Sequence, residues 1–187
     1  MIEITITTEH LDFIKNHAPD LDIGGFSNLA KEDLSKASRL DYQYTGLAGE
    51  IAWYIHRYGA HDKLKSLLDY KFNVCRKNNI GDNGFDDSIT YNNKTRLVDI
   101  KTTHVFDKGK IRYLNLIVPQ REYHENMIYV GAFSIGKTRR EFDKVILAGW
   151  CFNEEITKKW QYDPNKFCVP VNDLKPMKEL GQYLGND

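Results

Sequence analysis

The chain reads as an α/β protein: a mixed central β-sheet flanked by helices. Three observations predict it. Apolar residues recur at helical spacing through Leu47, Ile51, Tyr54 and Tyr58. Short alternating or β-branched runs follow, around Val98 and Ile100 and again through Leu114, Leu116 and Val118, with longer apolar strands over 127–135 and 144–150. The order is helices, a strand cluster, a short helix, more strands and a closing helix, the mixture expected of helices packed on a sheet.

With 187 residues, a hydrophobic content of 41% and a charged content of 28%, the chain fits one globular domain burying about 70% of its unfolded surface. The sequence suggests a core over about 40–150, an N-terminal helical arm over 1–39 and a C-terminal strand-helix extension over 151–187. The formal net charge is zero, so any contact with nucleic acid has to come from local basic patches. Cys75, Cys151 and Cys168 are far apart, and neither Cys-x-x-Cys nor His-Glu-x-x-His occurs, which argues against a zinc site or a disulfide framework. His10, His17, His56, His61, His104 and His124 show no ligand spacing. No apolar run approaches the roughly 18 residues of a membrane span and no leader pattern is evident, so a cytoplasmic, reduced setting is expected.

In chain order, 2–7 alternates as a strand, and Thr8 is the expected cap of a helix over 9–17 with Pro19 beyond its end. Ser27 is a second cap, for a helix running toward Ala37. The helix over 44–58 follows, with Gly46, Ala48 and Gly49 stripping bulk from one turn so that it can approach a sheet closely. Glu50 lies on its apolar stripe, where a carboxylate is costly unless paired or metal-bound. Arg57 or Lys101 is its alternative partner. A short helix is expected over 62–69 and a strand over 70–76.

The stretch Gly81-Asp82-Asn83-Gly84-Phe85-Asp86-Asp87 leads into a strand over 88–91, and Asn92-Asn93-Lys94 is turn chemistry before a strand over 96–102. Asp99 and Lys101 share a face of that strand. A two-residue loop pairing Tyr91 with Lys94 sets Asp86 opposite Asp99, and a four-residue loop sets it opposite Lys101. A three-residue loop turns Asp86 away. Two acids and a lysine on one face suit metal-assisted hydrolysis, because Mg²⁺ takes one or two carboxylates and keeps several waters. As surface decoration the same Asp-x-Lys pattern is common.

Further on, 111–118 is an expected central strand, and Pro119 opens a short helix with Gln120, Arg121 and Tyr123. The strands over 127–135 and 144–150 are joined by Gly136-Lys137-Thr138-Arg139-Arg140. Lys108, Lys110 and Arg112, with Lys137, Arg139 and Arg140, form a candidate phosphate-contacting surface. Solubilising tips are the plain alternative. Asn153 is the expected cap of a helix, 167–171 a strand, and Asn172 the start of a final helix using Leu174, Met177, Leu180 and Leu184.

Asp86 followed by Asp99-Ile100-Lys101 resembles the PD-(D/E)XK nuclease superfamily, with Phe85 standing where the signature has proline. The resemblance covers roughly 46–150. Gly49-Glu50 resembles the helix-borne glutamate of that superfamily, and the glycine lead-in resembles the turn of Mrr-like members, favouring Asp86 over Asp82 and Asp87. The Gln120 to Tyr123 spacing is one residue short of the Gln-x-x-x-Tyr helix of RecB-like members. The resemblance implies a restriction-endonuclease-like fold and a Mg²⁺- or Mn²⁺-dependent deoxyribonuclease acting on DNA. Asp86, Asp99, the Ile100 carbonyl and Glu50 would hold the metal, and Lys101 would orient or deprotonate the attacking water. A homodimer is compatible with it. The rivals are a catalytically inactive nuclease-fold protein that binds DNA or serves assembly, and a metal-free protein in which these charges form a buried ion network.

Overall fold

The computed structural model describes residues 1–21, 36–59, 86–91 and 93–181. The elements expected at 27–35, 62–69 and 70–76, the glycine lead-in with Asp82, and Leu184 lie outside them. Strands form in the order β1 (Ile2–Thr5), β2 (Asp87–Tyr91), β3 (Lys94–Val105), β4 (Asn115–Pro119), β5 (Met127–Thr138), β6 (Glu141–Phe152), β7 (Lys159–Trp160) and β8 (Asp163–Pro170). Helices are α1 (Thr8–Leu21), α2 (Lys36–Tyr58) and the short α3 (Met177–Gly181).

The chain is a mixed α/β protein built on a five-stranded sheet of order β1-β6-β5-β3-β2. β3 runs parallel to β5, and the other pairs are antiparallel. A parallel pair needs a long crossover. Here residues 106–126 supply it, and they carry β4 into a second sheet of order β4-β8-β7. The 111–118 run is therefore not a central strand. Its first part is a 3-10 turn over Lys108–Tyr113, and β4 edges the smaller sheet. Both chain ends reach into 94–152: β1 pairs with β6, and β8 pairs with β4.

The main sheet separates two apolar layers. On one face Ile14 and Ala18 of α1 and Leu47, Ile51 and Trp53 of α2 pack on Val98, Ile100, Val130 and Leu147. On the other, Leu116 and Val118 of β4 pack with Tyr129, Phe133, Ile146 and Val171. Strand alternation then assigns β3: Val98 and Ile100 face the helices, and Leu97, Asp99 and Lys101 face the smaller sheet.

Several local expectations shift. Thr7, not Thr8, caps α1: its hydroxyl accepts the His10 N–H (3.4 Å), and His10 Nδ1 accepts the Thr7 N–H (3.1 Å). Pro19 lies inside α1 rather than beyond it. α2 begins upstream of Tyr44. Asn153 opens a 3-10 turn over Asn153–Glu155 instead of a helix, and the Glu155 carboxylate takes the Phe152 N–H (2.9 Å). Asn172 sits in a 3-10 turn over Val171–Asp173, and α3 starts only at Met177. A helix begun at Asn172 would carry Pro176 past its first turn, where the ring crowds the preceding turn and the missing N–H breaks the hydrogen-bond ladder. Among the described residues no helix is long and apolar enough to cross a membrane.

Candidate active site

The hairpin that builds the site closes as a two-residue loop. Tyr91 pairs with Lys94 and Asp87 with Val98, which brings Asp86 to the level of Asp99. Asn93 makes this loop possible by adopting φ 58, a left-handed conformation that asparagine tolerates. Past Asp87 the ladder changes character. The Asp86 N–H still bonds the Val98 carbonyl (2.8 Å), but the Ile100 N–H is taken by the Asp86 carboxylate (2.8 Å) in place of a strand carbonyl. The Tyr54 hydroxyl donates to the Asp86 carbonyl (2.6 Å) and ties this point to α2. Because the N–H and C=O of one strand residue point the same way, the Ile100 carbonyl is directed to the edge where Asp86 sits.

Asp99 is 6% exposed, with Lys101 Nζ 2.6 Å from its Oδ2. The same ammonium lies 2.7 Å from Glu122 Oε2, in the 3-10 turn over Gln120–Glu122 that follows β4. Tyr129, directly beside Asp99 in the β3–β5 register, fixes that turn. Its hydroxyl donates to the Glu122 carbonyl (2.7 Å) and accepts the His124 N–H (3.0 Å). Burial pushes the Tyr129 phenol up to about 12.

Burial raises the Asp99 carboxyl to about 7; Lys101 opposes this, and the nearby Asp86 and Glu122 carboxylates add to it. Lys101 shows the opposite balance. Burial works against its ammonium, but Asp99 and Glu122 outweigh that and hold it protonated well above the ordinary lysine range. Lys101 is therefore a charged hydrogen-bond donor and not a base.

The structure joins Asp86, Asp99, Ile100 and Lys101 as the sequence suggested, and adds Glu122 and Tyr129. Glu122 left no short-range signal: it reaches Lys101 from a turn placed by the second sheet. Glu50 is half-buried on α2, the helix packed on the Val98 and Ile100 face, opposite the one that carries Asp99 and Lys101. Among the described residues no group of three or more His, Cys, Asp or Glu side chains converges to hold a metal. Asp86 is near enough to Asp99 to act on its charge, and the Ile100 carbonyl is directed to the same edge. Carboxylate and backbone oxygens are the donor types that Mg²⁺ and Mn²⁺ take, with water completing the shell.

Asp87 has a different task. The Trp53 indole N–H donates to its Oδ2 (2.7 Å), the Tyr58 hydroxyl donates to Oδ1 (3.3 Å), and the Ser88 N–H donates to Oδ1 (2.7 Å). Arg57 pairs with it and also donates to the Ser88 carbonyl (2.7 Å). Arg57 thus serves Asp87, and Lys101 serves Asp99 and Glu122.

The basic candidates fall beyond the C-terminal end of β3. Lys108 pairs with Glu3, Lys110 and Arg112 are exposed, and the Arg112 guanidinium covers the Tyr113 ring at 4.7 Å. Lys137 is exposed on β5, Arg139 lies over the Tyr42 ring at 4.8 Å, and Arg140 Nε is 2.6 Å from Asp41 Oδ1. The β5–β6 tip is therefore docked on the first turns of α2. No protein-family model matches this chain, and neither a curated protein nor a solved structure does.

Proposed function

We propose that this chain is a divalent-metal-dependent phosphodiester hydrolase, a deoxyribonuclease with a restriction-endonuclease-like core. The observation that carries the reading is the crowding of Asp86 and Asp99 at the edge of β3 beside a single lysine. A buried carboxylate whose proton affinity is raised by burial and by a neighbouring acid is a site a cation relieves. Asp86, Asp99 and the Ile100 carbonyl would hold Mg²⁺ or Mn²⁺. When bound, such an ion supplies an acidified water and neutralises charge on a phosphoryl oxygen. Lys101 is kept protonated by Asp99 and Glu122, so it orients the attacking water or the scissile phosphate by donating a hydrogen bond. Glu122 and Tyr129 position that ammonium from the turn after β4.

The test is incubation with linear, circular and single-stranded DNA in Mg²⁺, in Mn²⁺ and in chelator. Wild type is expected to cut only with metal, and Asp99→Asn and Lys101→Met to lose about 100-fold or more in rate. Mn²⁺ should also raise the melting temperature of wild type and not that of Asp99→Asn. Cleavage that survives Asp99→Asn would overturn the assignment.

A second reading is favoured by one contact pair: Lys101 lies within 2.7 Å of both Asp99 and Glu122. In it the charges are a metal-free ion network inside a nuclease-fold protein that binds DNA or serves assembly. It predicts no cleavage and no thermal shift with Mn²⁺.

A further inference from the structure

β3 runs directly into Phe106-Asp107-Lys108-Gly109-Lys110-Ile111-Arg112-Tyr113, a turn built to stand out from the sheet. Ile111 anchors it from below at 2% exposure, and the Asp107 carboxylate caps it by accepting the Gly109 N–H (2.8 Å). On that base the two largest apolar side chains stay in solvent: Phe106 is 75% exposed and Tyr113 is 71% exposed. Neither is loose decoration. The His104 ring meets Phe106 edge-on at 4.8 Å, and the Arg112 guanidinium lies 4.7 Å from the Tyr113 ring centre. Lys108, Lys110 and Arg112 stand between the two rings in sequence, and Lys108 and Arg112 line an open cavity of about 560 Å³ with Glu3 and Ile111.

We infer that this turn is a platform for single-stranded nucleic acid, stacking unpaired bases on Phe106 and Tyr113 and holding the intervening phosphates with Lys110 and Arg112, while Lys108 is paired with Glu3. Aromatic rings interleaved with cations suit an unpaired strand because every base has a π-face and every linkage a charge. A duplex hides its base faces and would use the cations alone. Both rings are left accessible on one short turn that also carries cations, and exposed apolar surface rimmed by polar residues marks contact sites. The inference deepens the hydrolase reading by naming its substrate as an unpaired or frayed strand, and rests on it only for the claim that the bound strand is cut. Four residues of β3, Thr102 to Val105, lie between Lys101 and Phe106, a step of roughly 17 Å along a strand.

Binding is measured by fluorescence anisotropy in chelator, with Asp99→Asn protein so that no strand is cut. The probes are labelled thymidine and uridine oligomers of about 16 nucleotides, the upper range of single-strand site sizes, and a duplex of equal length. The single strands should bind about 10-fold or more tighter than the duplex, and Phe106→Ala/Tyr113→Ala should lose about 10-fold per ring while keeping its salt dependence. Lys110→Gln/Arg112→Gln should flatten the salt dependence instead. A preference of the thymidine over the uridine oligomer or the reverse assigns the sugar, and either supports the platform. Equal affinity for the duplex, or unchanged binding in the double-ring variant whose circular dichroism matches wild type, overturns it. Metal-dependent cleavage by wild type with intact rate in the double-ring variant sinks the platform and spares the hydrolase. Tight strand binding without any cleavage does the reverse.

Discussion

Asp87 and Asp99 have almost the same side-chain exposure, 11% and 8%, and sit on adjacent strands, yet they live in opposite electrostatic settings. Asp87 faces α2 and gathers donors: the Trp53 indole, Arg57, the Tyr58 hydroxyl and the Ser88 N–H. Asp99 faces the second sheet, shares one ammonium with Glu122, and has Asp86 beside it. Burial is therefore not what separates the two. The separating quantity is compensation. A carboxylate with as many donors as lone pairs fixes a helix to a sheet, and one short of donors waits for a proton or a cation.

The largest expected effect breaks the compensated side. Asp87→Ala leaves Arg57 beside the sheet without its carboxylate, and stripping one partner from a buried pair costs roughly 3–5 kcal/mol. Urea denaturation at pH 8 without metal should show that loss for Asp87→Ala. Asp99→Asn should be close to neutral under the same conditions, since it removes an ionised group the fold disfavours. Equal losses for both variants would erase the distinction.

The next effect sharpens the under-compensated side through pH. Asp99 is raised in the folded chain to about 7 from an ordinary carboxylate value. The folded state thus binds more protons than the unfolded one between these limits. Its stabilising share is complete below about pH 4 and is lost as pH rises through about 7, a fall on the order of a few kcal/mol. Lys101 is raised above the ordinary lysine range, so its share is present throughout this window and disappears only at more alkaline pH. Melting curves from pH 4 to 8 in chelator (the limits set by that shift) should slope downward for wild type and flatten for Asp99→Asn. A parallel slope in the variant would place the titration elsewhere.

The near half of this contrast was legible in the sequence, and the far half was not. Asn92-Asn93 and the alternation of Val98 and Ile100 left three loop lengths open, two of which group Asp86 with Asp99 and Lys101, and the two-residue loop that forms is one of those. The tight turn before Glu50 was legible too, but only Gly49 meets the sheet; Gly46 has open space where a Cβ would stand. Glu122 escaped because its approach to Lys101 depends on β4 pairing with β8, strands separated by 43 or more residues and joined by no local pattern, and Tyr129 because only the parallel β3–β5 pairing sets it beside Asp99. Asp87 escaped for a related reason. Period-2 alternation places it on the helix side, but only the docking of α2 brings Trp53, Arg57 and Tyr58 to it. The Ile111 to Val118 run misled because alternating apolar residues do not say which sheet a strand joins.

The smallest expected effect tests whether the two acids are independent. A Cβ on Gly49 would stand 1.8 Å from Thr102 Oγ1 and 3.1 Å from Ile100 Cγ2, so Gly49→Ala forces α2 off the face where Asp87 is held. Overpacking of this kind costs about 1–3 kcal/mol, and the better helix propensity of alanine returns up to about 1 kcal/mol. A net loss of about 1 kcal/mol is expected, and Gly49→Ala/Thr102→Ala should recover most of it, because the severe clash is with the Thr102 hydroxyl and contacting sites couple. The pH slope from 4 to 8 is the decisive readout. Asp99 lies on the opposite face of β3 and its charge balance comes from Lys101, Asp86 and Glu122, so Gly49→Ala should lower the whole stability curve without tilting it. A changed slope would mean that α2 tunes the Asp99 site through β3, and the two acids would have to be treated as one coupled system.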